Sequence, residues 1–136
     1  MANWWEKYQR IPFKEKGRDE SGADCWGLAY LIYKNEKGID VPDYLWAYED
    51  THETEKISAH IKAERSSSRW LEITDPKPFD LVLMQESAAG MVGIHVGLVI
   101  RQGFMIHIRR KKGVVIQPLN AFEWKNRIMG FVRYVG

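Results

Sequence analysis

The sequence predicts an α+β fold in which N-terminal helices pack on one face of a C-terminal antiparallel β-sheet. Two observations carry that prediction. Apolar residues in the first half recur at helical spacing, whereas from Phe79 onward short runs rich in Val, Ile, Leu, Phe and Met are separated by Gly or Pro. Helices first and strands second is the pattern of segregated layers rather than of alternating βαβ units. A chain of 136 residues, 45% hydrophobic and 28% charged, supports one core without metal or disulfide staples and is too short for two ordinary domains, so residues 1–136 read as a single domain.

The elements follow in order. Trp4 to Tyr8 reads as a short helix. Asp24 is a good N-cap for a helix whose apolar stripe is Cys25, Leu28, Ala29 and Ile32, and Gly38 is placed to end it. Glu49 to Arg65 is charged, lacks Gly and Pro, and sets Ile57 and Ile61 four apart, which predicts a largely exposed helix. Ser66-Ser67-Ser68 reads as a loop. Strands are predicted over Phe79–Gln85, Met91–Ile100, Phe104–Arg109, Val114–Gln117 and Ile128–Val135, joined as an antiparallel meander.

Composition excludes several function classes. The formal net charge of +2 comes from 20 basic and 18 acidic residues spread along the chain, which gives no electrostatic case for nucleic acid. One cysteine forms no intramolecular disulfide, so the fold is compatible with a reducing cytoplasm. The segment Met1-Ala2-Asn3-Trp4-Trp5-Glu6-Lys7 lacks the features of a signal peptide, and no apolar stretch reaches membrane-spanning length. The expectation is synthesis in a bacterial cytoplasm, no membrane insertion and no cofactor.

Cys25 is the residue on which function turns. A lone cysteine is ordinarily a small buried hydrophobe. Here it directly follows the candidate N-cap, where free backbone N–H groups and the helix dipole favour a thiolate and predict a lowered pKa, with reaction well below the free-thiol value of about 8.5. The same N–H groups suit a developing oxyanion. Counting round the helix turns the sulfur toward the sheet, and Gly22 and Gly27 allow a tight entry turn and close approach of a substrate backbone.

His95 and His107 lie in consecutive predicted strands joined through Arg101-Gln102-Gly103. A three-residue loop puts Ile100 opposite Phe104 and His107 opposite Gly97, so both imidazoles share a face; a two-residue turn at Gln102-Gly103 puts them on opposite faces. A thiol needs a base, and the base needs a partner on its other ring nitrogen. Structural histidines in strands are the alternative for either residue alone. Zinc binding by Cys25, His95 and His107 is the rival chemistry, but no Cys-x-x-Cys or His-x-x-x-His pair supports it, and no metal is expected. His52 and His60 fall in the charged helical segment and read as surface residues.

Taken together, Pro12-Phe13, Gly17-Arg18-Asp19, Ser21-Gly22-Ala23-Asp24-Cys25-Trp26-Gly27-Leu28, Pro78-Phe79-Asp80-Leu81-Val82, His95-Val96-Gly97 and Ile106-His107 resemble the NlpC-type cell-wall peptidases in order and spacing. The Gly-Arg-Asp lead, the Asp-Cys-Trp-Gly-Leu core and Val41-Pro42-Asp43-Tyr44 resemble the branch found in tailed-phage tail assemblies. The resemblance covers nearly the whole chain apart from Trp46 to Leu71. It implies a papain-like fold and cleavage of peptide bonds in peptidoglycan stem peptides. Cys25 would attack, His95 would accept its proton and His107 would orient His95. The phage branch further implies partner proteins in a tail and a place at the virion tail tip. The alternative from a different class is an inactive structural tail or wall-binding module. Lipid-directed acyltransferases or amidases on the related permuted fold place histidine before cysteine, the reverse of this chain.

Asp24 matches a family position that helps receive the substrate's free amine, with N-capping as its alternative role, and Trp26 is either a substrate platform or core. Two departures bear on substrate: recycling and remodelling members typically carry Ser after the nucleophile and Tyr ten residues before it, where this chain has Trp26 and Glu15. The charge run Arg109-Arg110-Lys111-Lys112 reads as a solvated hairpin tip, or else as a contact for anionic polymer or a neighbouring subunit.

Overall fold

A computed structural model describes residues 3–88 and 91–136; the first two residues of the segment read for a signal peptide lie outside them. Trp4–Tyr8 is a 3-10 helix. Strands β1 (Arg18–Asp19) and β2 (Gly22–Ala23) form a small antiparallel hairpin that feeds α1 (Cys25–Ile32). There follow α2 (Thr54–Arg65) and strands β3 (Trp70–Ile73), β4 (Leu81–Ala88), β5 (Met91–Arg101), β6 (Phe104–Arg109), β7 (Gly113–Pro118) and β8 (Ile128–Tyr134).

Local chemistry sets the helix limits. Asp24 is extended and its carboxylate accepts the Gly27 N–H at 2.8 Å, so α1 starts at Cys25. A π-helical turn, Tyr33–Lys37, continues α1 until Gly38, left-handed at φ 65°, stops it. The second helix begins at Thr54 rather than at Glu49. The Glu53 carboxylate takes hydrogen bonds from the backbone N–H groups of Glu49 and Asp50, which closes residues 49–53 into a turn instead of a helical one.

The large sheet is antiparallel with strand order β3-β8-β4-β5-β6-β7. The expected meander holds for β4 to β7 and fails for β8, which returns across the sheet to pair with β4 and carries β3 at its outer edge. A bidentate ion pair ties that return: the part-exposed Arg133 on β8 donates to both oxygens of the buried Asp80, at 2.8 and 2.9 Å. β3 had no clear sequence signal because it is four residues long and alternates poorly at an edge.

The core has two parts. On one face Leu81, Leu83, Val96, Leu98, Ile106 and Ile108 pack against Leu28, Ala29 and Ile32 of α1. On the other, Val82, Met84, Val99 and Met105 close around Trp124 from the β7–β8 connection. Since successive strand residues point to opposite faces, this division also decides where the histidines stand.

Candidate active site

Gln102-Gly103 forms a two-residue turn, with Arg101 opposite Phe104 and Gly103 left-handed at φ 79°. By simple counting that turn separates the histidines. A bulge between Val99 and Arg101 restores the register: Val99 pairs with Met105 and Leu98 with Ile106. The loop expectation is therefore wrong in detail, while the shared face it led to is what the structure has. A Cβ placed on Gly97 would lie 3.5 Å from His107 Cβ, so the missing side chain leaves room for the second ring.

The imidazoles form a hydrogen-bonded pair, His95 Nε2 to His107 Nδ1 at 2.9 Å, with rings edge to face. His107 Nε2 lies 2.6 Å from Gln117 Oε1, which also accepts the Trp124 indole N–H at 3.0 Å. Trp124 stacks along His95 and meets His107 edge-on, sealing both from behind. Among the described residues His95 Nδ1 makes no hydrogen bond, and Glu86 Oε2 stands 3.8 Å from it. Burial pushes the His95 pKa well below its ordinary value, helped by His107 and Arg109, and burial lowers His107 as well. Because the facing nitrogens bond to each other rather than converge, the geometry argues against zinc held by Cys25, His95 and His107.

Alternation corrects one further expectation. Val96, Leu98, Ile106 and Ile108 point to α1, so His95 and His107 point to the other face, not to the helix stripe that carries Cys25. Cys25 and His95 come together instead as walls of a cavity of about 600 Å³ at the end of the sheet where the β6–β7 hairpin turns. Cys25 is half-buried there. Its pKa is pushed up to about 12, chiefly by burial and then by the neighbouring Asp24 charge, against the smaller opposing effects of the Val96 N–H and Arg18. Desolvation and the adjacent Asp24 carboxylate thus oppose the acidic thiol expected from the helix N-terminus.

Asp24 is fully buried, and four donors from the chain itself occupy its oxygens: Arg18 Nη1 and Gly27 N on Oδ1, Lys16 N and the Tyr48 hydroxyl on Oδ2. This leaves no oxygen for a substrate amine, so the capping role is the one the geometry supports. Trp26 is core: its indole donates to Pro42 O at 2.8 Å and its ring packs on Tyr44 and Trp70, away from the cavity with Cys25. Arg18 also donates to Asp43 O at 2.8 and 3.0 Å. Much of the motifs behind the narrower resemblance, Gly17-Arg18, Asp24 to Trp26 and Val41 to Tyr44, therefore forms one hydrogen-bonded node behind the cysteine, while Asp19 is exposed and its side chain bonds Ser21. Gly27 serves the same packing, because a Cβ there would lie 1.9 Å from Gly17 O.

Glu15 accepts from Thr51 at 2.6 Å and pairs with Arg110 at 2.5 Å, which straps the N-terminal segment to the cavity rim. Arg109 pairs with Glu86 at 3.2 Å and lies over Trp124, so half of the basic run is engaged, while Lys111 and Lys112 are exposed. His52 is at the surface as expected. His60 is not: it packs half-buried between Tyr44 and Trp46, and burial lowers its pKa. Sequence reasoning missed Gln117, Trp124 and Glu86. The polar Gln117 in an otherwise apolar strand, two positions on from the Val115 that pairs with His107, was the available signal.

Comparison with known proteins places this geometry. The NlpC/P60 family profile matches residues 10–133. The chain is 26% identical over 127 residues to the murein DD-endopeptidase MepS/murein LD-carboxypeptidase of Escherichia coli K12, covering 93% of this chain and 57% of that enzyme, so it spans little more than half of its relative's length. Its fold is similar to the NlpC/p60 domain of the peptidoglycan hydrolase SagA, with a TM-score of 0.58 at 20% identity over 95% of this chain and 91% of that domain. An NlpC/P60 family protein from Bacillus cereus superposes with a TM-score of 0.58 at 27% identity, covering 88% of this chain and 34% of that protein.

Proposed function

The chain belongs to the NlpC/P60 family, and from that premise we propose that it is a cysteine peptidase that hydrolyses peptide bonds in peptidoglycan stem peptides. The observation that carries this reading is that Cys25 and His95 line one cavity, with His95 backed through His107. In this mechanism Cys25 Sγ attacks the scissile carbonyl carbon as its proton passes to His95 Nδ1. The backbone N–H groups at the start of α1 stabilise the oxyanion. The imidazolium then protonates the leaving amine, and water activated by the same nitrogen hydrolyses the thioester. His107 holds His95 through Nε2, the nitrogen that does not react. A relative named as a murein endopeptidase supports the substrate class.

The setting we propose is a tailed-phage tail, with the peptidase at the tail tip opening the wall during host entry. The support for this is the motif resemblance of Gly17-Arg18-Asp19, Asp24 to Leu28 and Val41 to Tyr44. Proteomic analysis of purified virions tests it, and absence of the chain from tails rejects it. A second reading, an inactive structural tail or wall-binding module, is favoured by one observation, the uncharged resting pair of raised thiol and lowered imidazole.

Incubation with peptidoglycan and mass spectrometry of released fragments separates the two. The wild type is expected to release stem-peptide fragments, and Cys25→Ala and His95→Ala are expected to release none. Fragment release that survives Cys25→Ala would sink the mechanism.

A further inference from the structure

We infer that Gln117 is a positioning residue that fixes the tautomers of both histidines, so that His95 Nδ1 is left bare to act as the base. The inference deepens the peptidase reading and rests on it for its kinetic consequence, but the tautomer assignment stands on the hydrogen-bond geometry together with a neutral, buried His107.

The assignment starts outside the cavity. An indole N–H only donates, and Trp124 Nε1 lies 3.0 Å from Gln117 Oε1. An ionised carboxylate only accepts, and Glu123 Oε1 lies 2.6 Å from Gln117 Nε2. That hydrogen bond is also the main reason the Glu123 pKa falls below its ordinary value, which keeps the group ionised. The amide is thus anchored at both ends and has one orientation, oxygen toward Trp124 and nitrogen toward Glu123.

The remaining steps follow from counting protons. Gln117 Oε1 accepts, so His107 Nε2, 2.6 Å away, carries a hydrogen. A neutral imidazole has one N–H, and burial keeps His107 neutral, so its Nδ1 is a lone pair. That lone pair lies 2.9 Å from His95 Nε2, which must therefore be the protonated nitrogen of His95. Nδ1 of His95 is then the unprotonated one, and among the described residues it makes no hydrogen bond. Without the Gln117 oxygen, His107 is free to carry its proton on Nδ1. It would then donate to His95 Nε2 and move the His95 proton onto Nδ1, which blocks the base.

The test is ring-¹⁵N NMR of histidine-labelled intact protein near neutral pH. The expected spectrum has both histidines protonated on Nε2 and bare on Nδ1; a wild-type His107 protonated on Nδ1 overturns the inference. Gln117→Met removes the acceptor at nearly constant volume and is expected to lose that tautomer pattern with the backbone amide spectrum unchanged. Its kcat/KM on peptidoglycan should fall roughly 10–100-fold, with KM little altered, as for loss of other residues that orient a reacting group. The double variant Gln117→Glu/Glu123→Gln keeps an acceptor toward His107 and a donor–acceptor contact between positions 117 and 123, and is expected to preserve the tautomers and restore most of the rate. Unchanged tautomers in Gln117→Met also overturn the inference. If the tautomers are as assigned and wild type releases no fragments, the peptidase reading fails and the inference stands.

Discussion

The two walls of the cavity are held in different ways. The cysteine wall is backed by charge: Asp24 is fully buried, and its carboxylate is met by Arg18 at 2.8 Å, by two backbone N–H groups and by Tyr48. The histidine wall is backed by neutral groups, a chain from His95 through His107 to Gln117 with Trp124 laid across it. In both, burial drives the reacting group to its uncharged form, upward for the thiol and downward for the imidazole. On the proposed peptidase reading, the helix would supply position and the strands proton chemistry. On that reading burial favours a resting thiol and imidazole, and charge separation would accompany attack on a bound substrate.

The largest expected effect breaks the charged wall. Arg18→Met leaves the buried Asp24 carboxylate without its counter-ion, and removing one partner of a buried pair costs roughly 3–5 kcal/mol. Denaturant titration should show that loss, and a loss under about 1 kcal/mol would mean that the two N–H groups and the hydroxyl suffice for Asp24.

The neutral wall should fail in acid. The folded-state pKa of His95 and of His107 lies below the unfolded value of about 6.5, so the unfolded chain binds more protons once pH falls beneath 6.5. Stability is full above that pH and declines below it, by up to about 1.4 kcal/mol per pH unit for each histidine. Thermal melts of wild type and His95→Asn should diverge only on the acid side; parallel curves would contradict the burial argument.

Cys25 sharpens the contrast with the opposite sign. Its folded-state pKa of about 12 exceeds the unfolded value, so stability is present at neutral pH and lost as pH rises above about 8.5. Cys25→Ala should flatten the alkaline decline. Iodoacetamide labelling of the substrate-free protein should rise only above the ordinary thiol range, and fast labelling at pH 7 would restore the thiolate expected from the helix N-terminus alone. The smallest effect is at the rim, where Glu15→Gln loses a part-exposed pair with Arg110 and should change stability by no more than about 1 kcal/mol.

Much of the fold was legible because it depends on near neighbours. The start of α1 followed from Asp24, its end from Gly38, and β6 was read over Phe104–Arg109, the bounds it has in the structure. The turn before α2 was not, because one side chain, Glu53, competes for the backbone N–H groups of a segment with helical composition. Cys25, His95 and His107 were named from residue type and spacing, and the structure sets Cys25 and His95 on one cavity. The sequence left two roles open for Asp24, substrate amine or N-cap, and for Trp26, platform or core, because the choice depends on partners far along the chain, Tyr48 and Pro42.

By itself the sequence determined the α+β class, the family and the strand segments, since pleat and helix period are local properties of the chain. Tertiary structure alone decided the return of β8, the bulge that keeps both histidines on one face, the opposite faces of helix stripe and imidazoles, the Gln117 and Trp124 backing, and the burial that disfavours charge on Cys25 and His95. Each of these follows from which distant groups are brought together and shielded from water, and desolvation and long-range pairing leave no mark at any one position in a sequence.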